Sequence, residues 1–224
     1  MIIDLRTYTY LPGKFRKFLK GYQDVGFALT SKHLGTTLGV LRSESGVQNR
    51  TFQFFMYEDS DHRDRCRAGM IADPAWAEFV KMDGDALLQQ SNVLLVPTLY
   101  SPIGGLGQRT APSMAADGKT RLFELTTWTF WPDAAEEAVQ TMQEEGARLI
   151  DRHCPDVILY ATPDTGNRHQ LLRLAAYESG AGRDRARRAA TADPEVQALR
   201  GQLRRVVESV DESLLSPIPC SPLR

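Results

Sequence analysis

The sequence predicts an α+β chain built from two tandem ferredoxin-like units, each in the order strand, helix, strand, strand, helix, strand. Its main support is a constant internal offset of 120 residues, at which the chain repeats itself. Arg63-Asp64-Arg65-Cys66-Arg67 returns as Arg183-Asp184-Arg185-Ala186-Arg187, and Ala72-Asp73-Pro74 as Ala192-Asp193-Pro194. Leu5, Thr7, Thr9 and Pro12 match Leu125, Thr127, Thr129 and Pro132; Gly26, Leu29 and His33 match Gly146, Leu149 and His153; Ser101-Pro102 matches Ser221-Pro222. Two units are too few for a solenoid, and each is long enough for a small domain. The boundaries expected are a first domain over 1–104, a linker over 105–121 and a more divergent second domain over 122–224.

Ile2 to Leu11 alternates, with Ile3, Leu5, Thr7 and Thr9 on one face and Asp4, Arg6, Tyr8 and Tyr10 on the other. That is a half-buried strand, and Pro12-Gly13 ends it with turn chemistry. From Lys14, the residues Phe15, Phe18, Leu19, Tyr22, Val25 and Leu29 fall at helical spacing up to His33, with Gly35 as terminator. Thr37 to Ser43 and Arg50 to Tyr57 are expected as strands joined by the hairpin residues Glu44 to Asn49. Asp59-Ser60-Asp61 supplies acidic caps for a helix carrying Arg63, Arg65 and Arg67. Asp73-Pro74 starts another helix, expected to carry Trp76, Phe79, Val80, Leu87 and Leu88. Val93 to Tyr100 is expected as the fourth strand, with Pro97 marking an edge or a bulge. The second unit repeats the order, with its last strand near Leu214 to Leu223.

A net charge of −1 argues against nucleic acid as a partner, since that usually requires a strongly basic domain or stripe. The arginines from Arg183 to Arg188, with Arg204 and Arg205, read as a solvated helix face. Cys66, Cys154 and Cys220 fall at non-equivalent repeat positions with no CxxC pair, which fits a reducing compartment and neither a disulfide framework nor a zinc cage. No apolar run approaches the length of a membrane span and the N-terminus has no signal-like segment, so no membrane partner and a cytoplasmic location are expected. Neither a dinucleotide fingerprint, a Walker loop nor a GxSxG elbow occurs. The four histidines lack metal-ligand spacing. No cofactor is expected, although a haem held by a single histidine stays open.

Leu5-Arg6-Thr7-Tyr8-Thr9 with Pro12-Gly13, then His33-Leu34-Gly35, Tyr57-Glu58 with the arginine helix, Asp73-Pro74-Ala75-Trp76 with Phe79, and Ser101-Pro102 together resemble a NIPSNAP-family domain. The second half carries the resemblance more weakly, through Glu124-Leu125, Thr127-Trp128-Thr129, His153 and Asp193-Pro194. The resemblance implies a dimeric-α/β-barrel-like pseudo-dimer, two four-stranded sheets face to face around a cavity with helices outside, and further homo-oligomerisation. Relatives of that fold include cofactor-free oxygenases, haem-degrading monooxygenases, lactone isomerases and polyketide cyclases, an analogy of fold rather than of site. The family's third strand commonly alternates His, Trp and Tyr on one face. Here that face carries Gln53, Phe55 and Tyr57 in the first unit, and Arg173, Ala175 and Tyr177 in the second.

The candidate site follows from these faces. Tyr8, Tyr10, Phe55 and Tyr57, opposite Trp128, Phe130 and Tyr177, would form an aromatic wall of the kind small-molecule pockets use. Asp4 and Arg6 share their strand face, and a charged pair there must be solvated, paired or turned toward a wet cavity. The expected function is binding of a small apolar, carbonyl-bearing metabolite, with isomerase-, cyclase- or oxygenase-like acid/base chemistry. Arg6 would hold an oxygen and Tyr8 or Tyr57 would donate a proton. Asp4, Tyr10, Gln53, Phe55, Trp128, Arg173 and Tyr177 would shape the pocket. The pair recurs incompletely as Glu124 and Thr126, which predicts a site mainly on the first unit. The alternative is a non-catalytic binding or adaptor protein with a packed interior. His33 and His153 are expected as helix C-terminal caps, bonding late carbonyls rather than working as bases.

Overall fold

The computed structural model describes residues 1–104, 120–154 and 156–224. The linker expected over 105–121 lies outside the described residues except for its last two positions. The first repeat holds β1 (Ile2–Tyr10), α1 (Phe15–Gly21), a π-helical turn (Tyr22–Gly26), α2 (Phe27–His33), β2 (Thr36–Ser43), β3 (Arg50–Tyr57), α3 (Ser60–Ala72), α4 (Pro74–Asp83) and β4 (Leu87–Pro97). The second holds β5 (Leu122–Phe130), α5 (Ala135–Thr141), a second π-helical turn (Met142–Gly146), α6 (Ala147–Asp151), β6 (Val157–Pro163), β7 (Gln170–Tyr177), α7 (Gly180–Ala192), α8 (Pro194–Leu203) and β8 (Val207–Pro217).

The helix starts follow the sequence. The Asp59 carboxylate accepts from the His62 amide at 2.7 Å, and Ser179 Oγ from the Gly182 amide at 3.1 Å. Asp73 accepts from the Ala75 amide and Asp193 from the Glu195 amide, both at 2.9 Å, with proline at the first helical position each time. Gly13, at φ +81°, makes the turn after β1.

Two strand ends differ from expectation. Leu87 and Leu88 begin β4 instead of continuing a helix, and β8 starts at Val207 rather than near Leu214. Gly84–Ala86 closes α4 in a 3₁₀ turn. The strand residues that follow are largely exposed and polar, so they show no alternation to read. Backbone pairing holds them instead, as in the register from Phe130 against Val207 to Phe123 against Leu215.

Contacts divide the chain into Met1–Leu94 with Ser216–Arg224, and Leu95–Leu215. In the first unit β3 lies between β1 and β2, with Arg6 opposite Gln53 and Gln53 opposite Val40. In the second, the order is β8-β5-β7-β6, the ferredoxin-like arrangement, and Leu95–Pro97 of β4 pair with β6. The repeated Ser-Pro motif acquires a role here. In the first unit, the Val40 amide donates to Ser221 Oγ at 3.0 Å and Ile218 donates to the Val40 carbonyl at 3.1 Å. In the second, Tyr160 donates to Ser101 Oγ at 3.2 Å and Thr98 to the Tyr160 carbonyl at 2.9 Å.

Candidate functional site

Because β1 and β3 are antiparallel with Asp4 opposite Phe55 and Arg6 opposite Gln53, these residues share one sheet face. Helices of the same unit cover it. This corrects only the expectation that this face lines a central cavity: it turns toward the helices of its own unit, where Arg63 of α3 reaches down to Asp4 and α4 roofs the pocket beside it. Asp4 is fully buried, and its Oδ2 accepts from Arg6 Nε at 3.0 Å and Arg63 Nε at 2.8 Å. Arg63 is therefore not a solvated helix residue but the partner of a buried carboxylate. The signal that marks it is its recurrence with Arg67, four residues on, as Arg183 and Arg187.

Arg6 is 4% exposed, lies 5.2 Å from the Phe55 ring centroid, and has an Nη2 with no hydrogen-bond partner. It lines a cavity of about 290 Å³ with Tyr8, Tyr10, Gln53 and Arg67 on its polar side and Phe18, Tyr22, Trp76 and Phe79 among its walls. Tyr10 stacks on Phe18 at 4.1 Å between centroids, and Trp76 packs against Phe79 at 5.5 Å. Asp4, Phe55 and Tyr57 support this cavity from below rather than lining it. Burial raises the Tyr8 phenol, against the opposing Arg6 charge, and pushes Tyr57 up to about 12. Burial would lower Arg6, but Tyr8, Asp4 and Tyr57 together raise it. The pocket thus holds a fixed cation beside a neutral phenol.

The remaining expected residues, Trp128, Arg173 and Tyr177, line a different cavity of about 480 Å³ inside the second unit. The buried cation has crossed the strand pair. Where the first unit has Arg6 on β1 opposite Gln53 on β3, the second has Thr126 on β5 opposite Arg173 on β7. The expectation that the charge pair survives only in the first unit is corrected accordingly. Arg173 is 4% exposed, and its Nε and Nη2 have no hydrogen-bond partner. Its nearest carboxylates are Glu124 at 3.8 Å and Asp151 at 3.9 Å, beyond bonding distance. Glu124 is occupied by Arg183, by Tyr177 at 3.4 Å and by Arg187 at 3.5 Å. Leaving a buried donor unmade costs about 1–3 kcal/mol, so each unit carries a local penalty that an acceptor oxygen would remove.

His33 and His153 do not cap carbonyls. Each Nε2 bonds an aspartate that caps a later helix, His33 to Asp73 of α4 at 2.7 Å and His153 to Asp193 of α8 at 2.8 Å, because the end of the first helix lies beside that cap. Among the described residues no group of three or more His, Cys, Asp and Glu is placed to hold a metal. Nor, among the described residues, is any helix long and apolar enough to cross a membrane.

Over 97% of its length the chain shares the fold of a candidate monooxygenase from Fusobacterium nucleatum, covering 92% of that chain at a TM-score of 0.68 and 8% identity. At that identity the likeness shows fold alone, and the fold class is the mixed α/β, tandem-repeat class of the dimeric α/β-barrel proteins. The NIPSNAP family model matches residues 3–102 and again 123–222, and the chain belongs to the NIPSNAP family. A NIPSNAP domain protein of Burkholderia xenovorans is 33% identical across 46% of this chain and 99% of its own, with a TM-score of 0.44. Human protein NipSnap homolog 3A is 26% identical over 109 residues, 46% of this chain. That match spans 41% of the curated relative's length.

Proposed function

We propose that the first-unit cavity binds a small, flat, apolar metabolite through a carbonyl or anionic oxygen, without a cofactor. Arg6 carries this reading: a buried cation, fixed from below by Asp4, with a free N–H beside an aromatic chamber. Gln53 and Arg67 offer further polar contacts from the lining, and Phe55 holds the guanidinium plane. Of the two tyrosines expected as donors, Tyr8 lines the cavity and Tyr57 does not, so Tyr8 is assigned to the substrate oxygen. The lining contains two guanidinium cations and phenols but no histidine or carboxylate. The chain's part is therefore to stabilise a substrate that arrives as an enolate- or phenolate-like anion and to supply a proton to its oxygen. In that step the Tyr8 O–H bond breaks, the substrate O–H bond forms, and the tyrosinate is left beside Arg6.

A titration with 2-naphthoate, followed by quenching of tryptophan fluorescence with Trp76→Phe as control, tests the site. Hydrogen bonds to charged groups contribute about 1.5–3 kcal/mol, so Arg6→Gln should weaken binding about 10- to 150-fold. Equal affinity in wild type and Arg6→Gln would sink the reading.

The reading also takes the protein as a cytoplasmic homo-oligomer. Three unpaired cysteines support a reducing compartment, and exposed Val80, Met82, Leu87 and Leu88 offer an apolar surface for self-association. Light scattering on the purified chain tests the second point, and a monomer at all concentrations would overturn it.

A further inference from the structure

The duplication has produced two cavities of different chemistry. The wall residues Tyr22, Trp76 and Phe79 of the first unit correspond to Met142, Val196 and Leu199 of the second, and the cavity grows from about 290 to about 480 Å³. An aromatic chamber has become a larger, more aliphatic one. Both volumes fall near or within the range of small-molecule sites.

We propose that the second-unit cavity is a separate binding site for an aliphatic monocarboxylate, its head on Arg173 and its tail along Met142, Ile150, Val196, Leu199 and Leu203. The head group follows from the unmade bonds of Arg173. Its Nε and Nη2 are buried without a partner, and the two carboxylates nearest to it stand at 3.8 and 3.9 Å. Glu124 cannot turn to it without releasing Arg183 and Arg187. Two parallel N–H donors on one guanidinium match the two oxygens of a carboxylate. The charge balance of the lining agrees, with Arg173, Arg187, Arg200 and Arg204 against Glu124 and Glu212. Arg187 grips Glu212 through two bonds, at 2.6 and 2.9 Å, so that carboxylate is neutralised in place. The lining keeps an excess of positive charge, which an anionic head would reduce. His153 also lines it but is engaged by Asp193.

The tail follows from the walls. They are aliphatic over α8 and the second π-helical turn, and the indole of Trp128 is one of only two aromatic side chains in the lining. A saturated chain fills such a space without the stacking surface a flat ring needs. The site stands independently of the first-unit reading, since it uses a different cavity and a different arginine.

Isothermal titration calorimetry of the intact chain with decanoate tests it, with decan-1-ol as the same tail lacking the anionic head. Decanoate should bind wild type at one site in the submillimolar range, and decan-1-ol at least tenfold more weakly. Arg173→Gln should lose tenfold or more, whereas Arg6→Gln should bind decanoate as wild type does. Ala186→Phe, which adds bulk on the half-buried cavity face of α7 and leaves Arg173 in place, should also lose decanoate while melting near wild type. No binding by wild type, full binding by Arg173→Gln, or an equal loss in Arg6→Gln would overturn the proposal. Loss of 2-naphthoate binding alone would strike the first-unit reading and leave this one standing.

Discussion

Gly26 and Gly146 occupy equivalent places at the ends of the two π-helical turns, yet adding one methyl group should have opposite consequences. A Cβ at Gly26 would stand 2.6 and 2.9 Å from ring carbons of Phe79 and 2.8 Å from Tyr22. Both rings are nearly fully buried, and both line the first cavity. A stiff ring cannot yield at its tip without moving as a whole, and overpacking of this kind costs about 1–3 kcal/mol. At Gly146 the new atom would meet Met142 Sδ at 2.8 Å and Cε at 3.2 Å, the free end of an adaptable side chain. Replacing a helical glycine by alanine otherwise favours the helix by about 1 kcal/mol. Gly146→Ala should therefore be about 1 kcal/mol more stable, and Gly26→Ala neutral to about 2 kcal/mol less stable. Urea titrations of the two single variants, with thermal melts beside them, read the difference directly. It should be about 1–3 kcal/mol in favour of Gly146→Ala, several degrees of melting temperature in a chain of this size. Displaced rings would also narrow the first cavity, so Gly26→Ala should bind 2-naphthoate more weakly. Equal stability of the two variants, or a less stable Gly146→Ala, would refute the argument that ring contact at the π-turn sets the cost.

Three further outcomes follow from named contacts. Tyr57 carries a buried hydroxyl without a partner, so Tyr57→Phe should stay within about 1 kcal/mol of wild type and keep 2-naphthoate affinity, whereas Tyr8→Phe should weaken it; a binding loss confined to Tyr57→Phe would reverse the donor assignment. His33→Ala and His153→Ala should lower the melting temperature by similar amounts, since each removes the same bond to a helix-capping aspartate, and a loss in only one would contradict that equivalence. Hydrogen bonds from Lys32, His33 and the Ala75 amide hold the Asp73 carboxyl well below its ordinary value. Such a group contributes stability above its unfolded pKa, about 3.9, that is lost as pH falls through the folded value. The advantage of wild type over Asp73→Asn should accordingly be full at neutral pH and shrink below about pH 4; an unchanged advantage at pH 3 would refute it.

The elements were legible because their signals are local: alternation in Ile2–Tyr10, Asp-Pro at each α4 and α8 start, and a constant offset that assigns every element twice. The starts of β4 and β8 were not, because Gln89 to Asn92 and, Val210 apart, Glu208 to Glu212 are exposed and polar, and only the neighbouring strand's backbone makes them strands. The π-helical turns left a trace in the paired Gly26 and Gly146, which recurrence marked without saying why. Arg63 and Arg67 misled through their surroundings. Asp64 and Arg65 beside them face water, and nothing local indicates that Arg63 turns inward to a buried carboxylate and Arg67 to the cavity.

Position by position, the two repeats conceal what they share. At the same offset Arg6 meets Thr126 and Gln53 meets Arg173, so each site taken alone shows a lost or gained charge. The register sets the two pairs side by side, Arg6 with Gln53 and Thr126 with Arg173, and the apparent losses become one exchange across a strand pair. What the duplication has kept is a buried guanidinium in that row, near a buried carboxylate that an arginine of the covering helix also holds, Asp4 with Arg63 and Glu124 with Arg183. A buried cation is costly wherever it stands, and free mutation would sooner replace it than carry it to a neighbouring strand. Its presence on different strands in two diverged copies is what a requirement for the charge itself would leave behind. The residues free to change were those around it, and they changed from aromatic to aliphatic, which is why the two cavities should be sought with different ligands.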